Sequence, residues 1–184
     1  KCSSYYQHYP DDKLLNAFHL FLPTAEIIRR KFWVFDILAA HMNKPAIFIR
    51  PDSGFKTFSG QTLDQDEFDR TIPLLPNCLC LVAYARKLYE EYRLVMVDGK
   101  PVAGSMYMCE GEIESGPCPP EVFEFAKDLY QPERVYTLDI GRTDDGLKII
   151  EANGFSTSGL YECDRETVVA AVEQEALKEY AEYF

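Results

Sequence analysis

Apolar and polar positions fall into clear periods only from Thr24 onward; residues 1–22, rich in Tyr, His and Leu, hold no single period. After Pro23, with Thr24 in the N-cap position, Ile27, Ile28, Lys31, Phe32, Phe35, Leu38, Ala39 and Met42 recur at helical spacing until Asn43-Lys44-Pro45 ends the run. Residues 46–50 read as a short apolar strand closed by Arg50, and the Gly-containing stretch 52–60 as a flexible loop or hairpin tip. Asp64 with Glu67 three positions on has the form of a capping box, which predicts a short helix to about Arg70. Residues 79–83 read as a buried strand. Residues 92–97 and 102–108 flank Asp98-Gly99, a strong hairpin signal. Pro119-Pro120 opens a helix predicted to reach about Tyr130, with Val122, Phe123, Phe125, Ala126 and Leu129 as its apolar face. Residues 135–141 and 147–153 predict a second hairpin. Asp164 then caps a terminal helix running nearly to Phe184, on which Glu173, Glu175, Glu179 and Glu182 read as a solvated face.

Helices mixed with hairpins predict an α+β fold with mostly antiparallel sheets rather than a doubly wound one. No strand is followed by G-x-G-x-x-G, residues 54–60 lack the G-K-[ST] ending of a phosphate loop, and residues 154–159 have the wrong spacing for a nucleophile elbow. The 184 residues suit one large domain or two small lobes, and 47% apolar content with 12 Tyr and 12 Phe excludes a disordered chain. A net charge of −11 argues against a nucleic-acid partner beyond one local basic pocket. No apolar run approaches the roughly 20 residues of a membrane span. The six cysteines form no C-x-x-C pair and have no ligand-like spacing to a histidine, so they read as reduced thiols of a cytoplasmic protein. The chain begins at Lys1 with no signal-like segment after it, which suggests a fragment with upstream sequence missing.

The second hairpin carries the most chemistry. With a three-residue loop at 144–146 and Gly146 in the left-handed position, Asp139 faces Glu151, and Asn153 follows on the same face. Leu138, Ile140, Ile150 and Ala152 make the other, apolar face. Opposed carboxylates repel by about a few tenths of a kcal/mol. A divalent cation with hard oxygen ligands, Mg²⁺ above all, would offset that. An ordinary solvated hairpin face fits the same spacing, and a two-residue turn would flip the parity and separate the carboxylates. Elsewhere Arg50 closes an apolar run, Lys56 lies in the following loop, Lys31 on the first helix and Arg93 on the first hairpin. Each fits either a phosphate contact or an ordinary surface ion pair.

In order along the chain, Lys31, Phe48-Ile49-Arg50-Pro51, the loop from Gly54 to Gly60, the strand from Leu81 to Tyr84, Glu91-Tyr92-Arg93, and Asp139 with Glu151-Ala152-Asn153 resemble the motifs of the ATP-grasp superfamily. Arginine at position 50 resembles a divergent clade found in bacteria and phages, where it replaces a phosphate-binding lysine. The resemblance implies two α+β lobes clamping a nucleotide, divided as a remnant of an N-terminal region over 1–23, a nucleotide lobe over 24–83 and a metal-bearing lobe over 84–184. The N-terminal substrate lobe is expected to be missing or truncated. By the same resemblance Lys31, Arg50 and Lys56 would contact phosphates. The backbone around Val82, Ala83 and Tyr84 would hold adenine beside Glu91. Asp139, Glu151 and Asn153 would hold Mg²⁺, and Arg93 would touch the γ-phosphate or the acyl acceptor. Tyr107 stands where many ligases of the superfamily carry Arg.

The implied reaction is ATP-dependent ligation of a carboxylate to an amine or thiol through an acyl phosphate. Its substrates would be small molecules, peptides or proteins, with no nucleic acid and no membrane involved. The alternative is an ATP-binding assembly factor without ligase turnover.

Overall fold

The structure, a computed structural model, describes residues 1–55 and 57–183. The chain divides into two compact units, Lys1–Gln7 with Asn16–Arg86 and His8–Leu15 with Lys87–Phe184. Among the described residues no helix is long and apolar enough to cross a membrane.

The first unit contains α1 (Cys2–Tyr5), β1 (His19–Pro23), α2 (Thr24–Arg29), α3 (Lys31–Ala39), β2 (Ala46–Pro51), β3 (Gln61–Asp64), α4 (Gln65–Thr71) and β4 (Leu79–Tyr84). Its sheet runs β1-β4-β2-β3, antiparallel at each step. Alternation along β2 turns Ile47 and Ile49 inward, where they pack with Cys80 and Val82, with Val34, Phe35 and Leu38 of α3, and with Phe68 of α4. The single helix expected after Thr24 is two, broken at Arg30, whose backbone leaves the helical region (φ −111°, ψ 24°). Thr24 is no N-cap. Its hydroxyl reaches the carbonyls of Pro76 (3.0 Å) and Cys78 (3.1 Å), so it ties the helix start to the approach to β4. The break also redistributes the apolar face: Val34 enters the core while Ile28 and Phe32 point outward. The capping box stands as read, with Asp64 Oδ1 accepting from the Asp66 and Glu67 amides and Glu67 Oε2 accepting from the Asp64 amide.

The second unit contains β5 (Glu90–Val97), β6 (Lys100–Cys109), β7 (Glu112–Pro117), α5 (Pro120–Phe125), β8 (Val135–Thr143), β9 (Gly146–Gly154) and α6 (Arg165–Tyr183). The sheet order is β7-β6-β5-β8-β9, again antiparallel. Asp98 (φ 49°) and Gly99 (φ 71°) are both left-handed, as a tight two-residue hairpin turn requires. Glu110 and Gly111 repeat that geometry and open β7, a strand the alternation had not announced. On one face Leu94, Met96, Leu138, Ile140 and Ile149 are fully buried. Phe123 of α5 approaches so closely there that a Cβ on Gly104 would meet it at 3.0 Å and Leu94 at 2.5 Å. The other face buries Val95, Val97 and Ala103 against Cys163 and Val168 at the start of α6. Helix α5 stops at Phe125, short of Tyr130, and the chain reverses at Asp128 (φ 58°). Asp164 caps α6 by accepting from the Glu166 and Thr167 amides. Glu175 corrects the solvated-face reading: it is buried and accepts from Arg134 and Lys178, both at 3.0 Å.

Candidate functional site

Cross-strand register builds a polar row across four strands of the second unit. Ser105 on β6 pairs with Arg93 on β5, Arg93 with Asp139 on β8, and Asp139 with Glu151 on β9. Side chains two apart share a face, so Glu91 and Asn153 extend the row on the same side. The Asp139–Glu151 opposition is reached by a different route from the one the spacing suggested. The turn holds two residues, pairing Thr143 with Gly146 (φ 91°), and that register alone would separate the carboxylates. A bulge at Ile150 restores it. Ile149, not Ile150, therefore faces Ile140 in the core.

Arg93 and Asp139 form a two-pronged ion pair, Nε to Oδ1 and Nη2 to Oδ2, both 2.7 Å, with side chains only 9% and 2% exposed. Arg93 Nη1 also donates to the Gly159 carbonyl at 3.2 Å. The Tyr107 and Tyr161 rings stack at 5.0 Å and both lie within 5.4 Å of the guanidinium carbon. Asn153 Nδ2 donates to Asp139 Oδ2 at 3.3 Å, and the Tyr107 hydroxyl donates to Glu91 Oε2 at 2.7 Å. Burial pushes the Asp139 carboxyl up to about 6; the Arg93 fork opposes that rise, and Glu151 and Glu91 add to it. Burial likewise raises Glu91, against its hydrogen bond from Tyr107.

Among the described residues no three His, Cys, Asp or Glu side chains converge as a ready-made metal site. The donor chemistry of Asp139, Glu151 and the Asn153 amide nonetheless fits Mg²⁺. That ion commonly takes one or two carboxylates and fills the remaining positions with water and phosphate oxygens.

In the first unit the expected residues sit on separate elements. Lys31 is tied to α4, donating to the Gln65 carbonyl at 3.0 Å and pairing with Asp69 at 2.7 Å. Arg50 is half-buried on β2, opposite Leu81. Val82 and Ala83 are paired on both sides, by β1 and β2, whereas Tyr84 pairs with Ile47 of β2 and lies past the end of the β1 ladder. Lys56 lies outside the described residues.

A family described as an ATP-grasp domain, the second family of its clade, matches residues 28–171. The chain belongs to the ATP-grasp superfamily. Its two antiparallel sheets with flanking helices are the α+β fold of that superfamily. The D-alanine–D-alanine ligase of Bacillus anthracis superposes with a TM-score of 0.60 at 12% identity, over 90% of this chain and 63% of that one. The same ligase complexed with ATP gives 0.58 at 13%, over 90% and 62%. The ATP-grasp ligase PsnB, complexed with a phosphomimetic variant of its minimal precursor, Mg and ADP, aligns at 0.48 and 17% identity over 84% of this chain and 52% of that chain. This ATP-grasp chain thus spans between about half and just under two thirds of the length of these structures. No curated protein sequence matches it.

Three residues of the ATP-grasp chain's polar face were missed by the motif reading. Ser105 accepts from the Glu162 amide (3.3 Å), and Thr137 meets Ser158 Oγ at 2.8 Å. Tyr161 covers Arg93 from a left-handed backbone (φ 50°). Together they pin residues 158–162 over the face. Alternation places Ser105 and Thr137 in phase with Arg93 and Asp139, a signal present in the sequence; the Tyr161 contact leaves none.

Proposed function

We propose that this chain binds ATP with Mg²⁺ and is the nucleotide-handling part of a cytoplasmic ligase that activates a carboxylate by phosphoryl transfer and joins it to an amine or thiol. The carboxylate and the acceptor belong to small molecules, peptides or proteins. The observation that carries this reading is the row of Arg93, Asp139 and Glu151, flanked by Glu91 and Asn153, on the sheet of an ATP-grasp domain. A fixed guanidinium beside two carboxylates and an amide suits a polyphosphate accompanied by a hard cation.

Asp139, Glu151 and Asn153 are assigned to the ion, which when bound would neutralise charge on the phosphate oxygens. Arg93 holds Asp139 through its Nε/Nη2 edge, so Nη1 is the nitrogen assigned to a phosphate or acceptor oxygen, in exchange for the Gly159 carbonyl. Arg50, Lys31 and Lys56 are assigned to phosphates; Lys31 must leave Asp69 to serve there. The backbone of 82–84 is assigned to adenine, with Tyr84 offering the side not paired by β1, and Glu91 to the nucleotide. Residues 24–83 and 84–184 are the corresponding lobes.

Calorimetric titration of a non-hydrolysable Mg·ATP analogue tests the reading. Wild type should bind only with Mg²⁺ present, and Glu151→Gln should weaken binding at least about tenfold, the equivalent of 1.4 kcal/mol. Metal-independent binding, or none, would remove the assignment. Phosphate release with added carboxylate and amine then separates a ligase from an ATP-binding assembly factor.

A further inference from the structure

Cys78 and Cys80 lie at the start of β4 with their sulfurs 3.9 Å apart, and all six thiols of the chain are free. Residues two apart in extended chain project to the same side, with Cα atoms about 6.7 Å apart. That is just inside the ~6.8 Å limit for a disulfide. The two thiols differ in environment. Cys78 is partly exposed and meets Thr57 Oγ1 at 3.6 Å; Cys80 is fully buried, donates to the Cys78 carbonyl at 3.4 Å and meets Thr24 Oγ1 at 3.5 Å. Burial pushes the Cys80 thiol up to about 12, which leaves it a poor first nucleophile but an adjacent second one.

We propose that Cys78 and Cys80 form a hydroperoxide-sensitive dithiol that closes to an intrachain disulfide. Cys78 sulfur attacks the terminal peroxide oxygen, the O–O bond breaks, and water leaves with the thiol proton, giving a sulfenic acid. Cys80 sulfur then attacks Cys78 sulfur, the S–O bond breaks, and the leaving hydroxide takes the Cys80 proton as a second water. Two thiols are oxidised and one peroxide is reduced. Closing the bridge draws Cys78 away from Thr57 and so releases one tie between the 52–60 loop and the approach to β4.

The test treats the folded protein with stoichiometric hydrogen peroxide, quenches, alkylates under denaturing conditions with N-ethylmaleimide, and maps peptides by mass. The expected result is a peptide carrying both cysteines that has lost two hydrogens and takes no maleimide until dithiothreitol is added. In Cys80→Ser, Cys78 should instead accumulate as a sulfenic acid trapped by dimedone. The same treatment in urea should form the pair more slowly. A Cys78 that pairs with Cys2 instead, proceeds to sulfinic acid in the wild type, or remains a thiol while Cys109 oxidises would overturn the proposal. So would equal rates of pairing in urea.

Discussion

Strands β5 and β8 carry two arginine–carboxylate rungs in opposite orientation, and the rungs differ in almost everything else. Arg93 on β5 meets Asp139 on β8; three residues along, Glu90 on β5 meets Arg142 on β8. Both are direct cross-strand partners with contacts of 2.6 to 2.7 Å. The first is sealed beneath Tyr107 and Tyr161, whereas the second leaves a third of each side chain exposed and shares Arg142 with Glu121. Covalent pattern and strand register are thus nearly equivalent, and solvent decides what each pair contributes. A buried ion pair is costly to form and costlier to break, because removing one partner strands the other charge. An exposed one is replaced by water with little loss.

Arg93→Met should therefore have the largest effect, about 3–5 kcal/mol in urea denaturation, since Asp139 would lose both charge-assisted hydrogen bonds while remaining buried. Adding Asp139→Leu to that variant removes the stranded charge, and the double variant should recover most of the lost stability. Under the nucleotide reading it should still fail to bind Mg·ATP. Recovery of stability without recovery of binding would assign the rung to function rather than to folding; no recovery would mean the row is held by more than this pair.

The next effect is on pH dependence, where the two carboxylates act with opposite sign. Asp139 is raised from 3.8 to about 6, so its contribution is full below its unfolded value and is lost as pH rises through about 6. Glu90 is lowered from 4.5, first by the Tyr92 hydroxyl and then by Arg142, so its contribution is present above about 4.5 and lost as pH falls through its folded value. Thermal melts from about pH 3 to 8 should show Asp139→Asn flattening the slope between about 4 and 6. Glu90→Gln should soften only the acid limb below it. Matching changes in both variants would contradict the difference in burial.

How much of this was legible in the sequence follows the range of each interaction. The Asp98-Gly99 turn, the Asp64/Glu67 box and the Asp164 cap are written within four residues, and each formed as read. The Asp139–Glu151 opposition was also read, but through a three-residue loop. The chain uses a two-residue turn and a bulge at Ile150, two changes of parity that cancel. The Arg93–Asp139 fork was not legible. It joins strands separated by β6, β7 and α5, and nothing in either strand's alternation sets the register between them. Glu175 was misread for a related reason: a mostly acidic helix face looks solvated until Arg134, some forty residues earlier, is folded against it.

The smallest predicted effect is the one that most sharpens the contrast. Arg142→Met keeps the aliphatic stem that lies along β8 and removes only the charge that Glu90 and Glu121 share. Glu90 retains the Tyr92 hydroxyl at 2.5 Å as a donor, and its open side admits water, so no carboxylate is left stranded. The expected cost is below about 1 kcal/mol, shrinking further in high salt as exposed charges are screened. Urea denaturation at low and high salt measures it directly beside Arg93→Met, whose larger loss should be nearly salt-independent because its pair lies out of reach of mobile ions. If the Arg142 loss equalled the Arg93 loss, or failed to fall with salt, burial would not be what separates the two rungs, and the special status of the Arg93–Asp139 pair would have to rest on the loop of residues 158–162 that covers it.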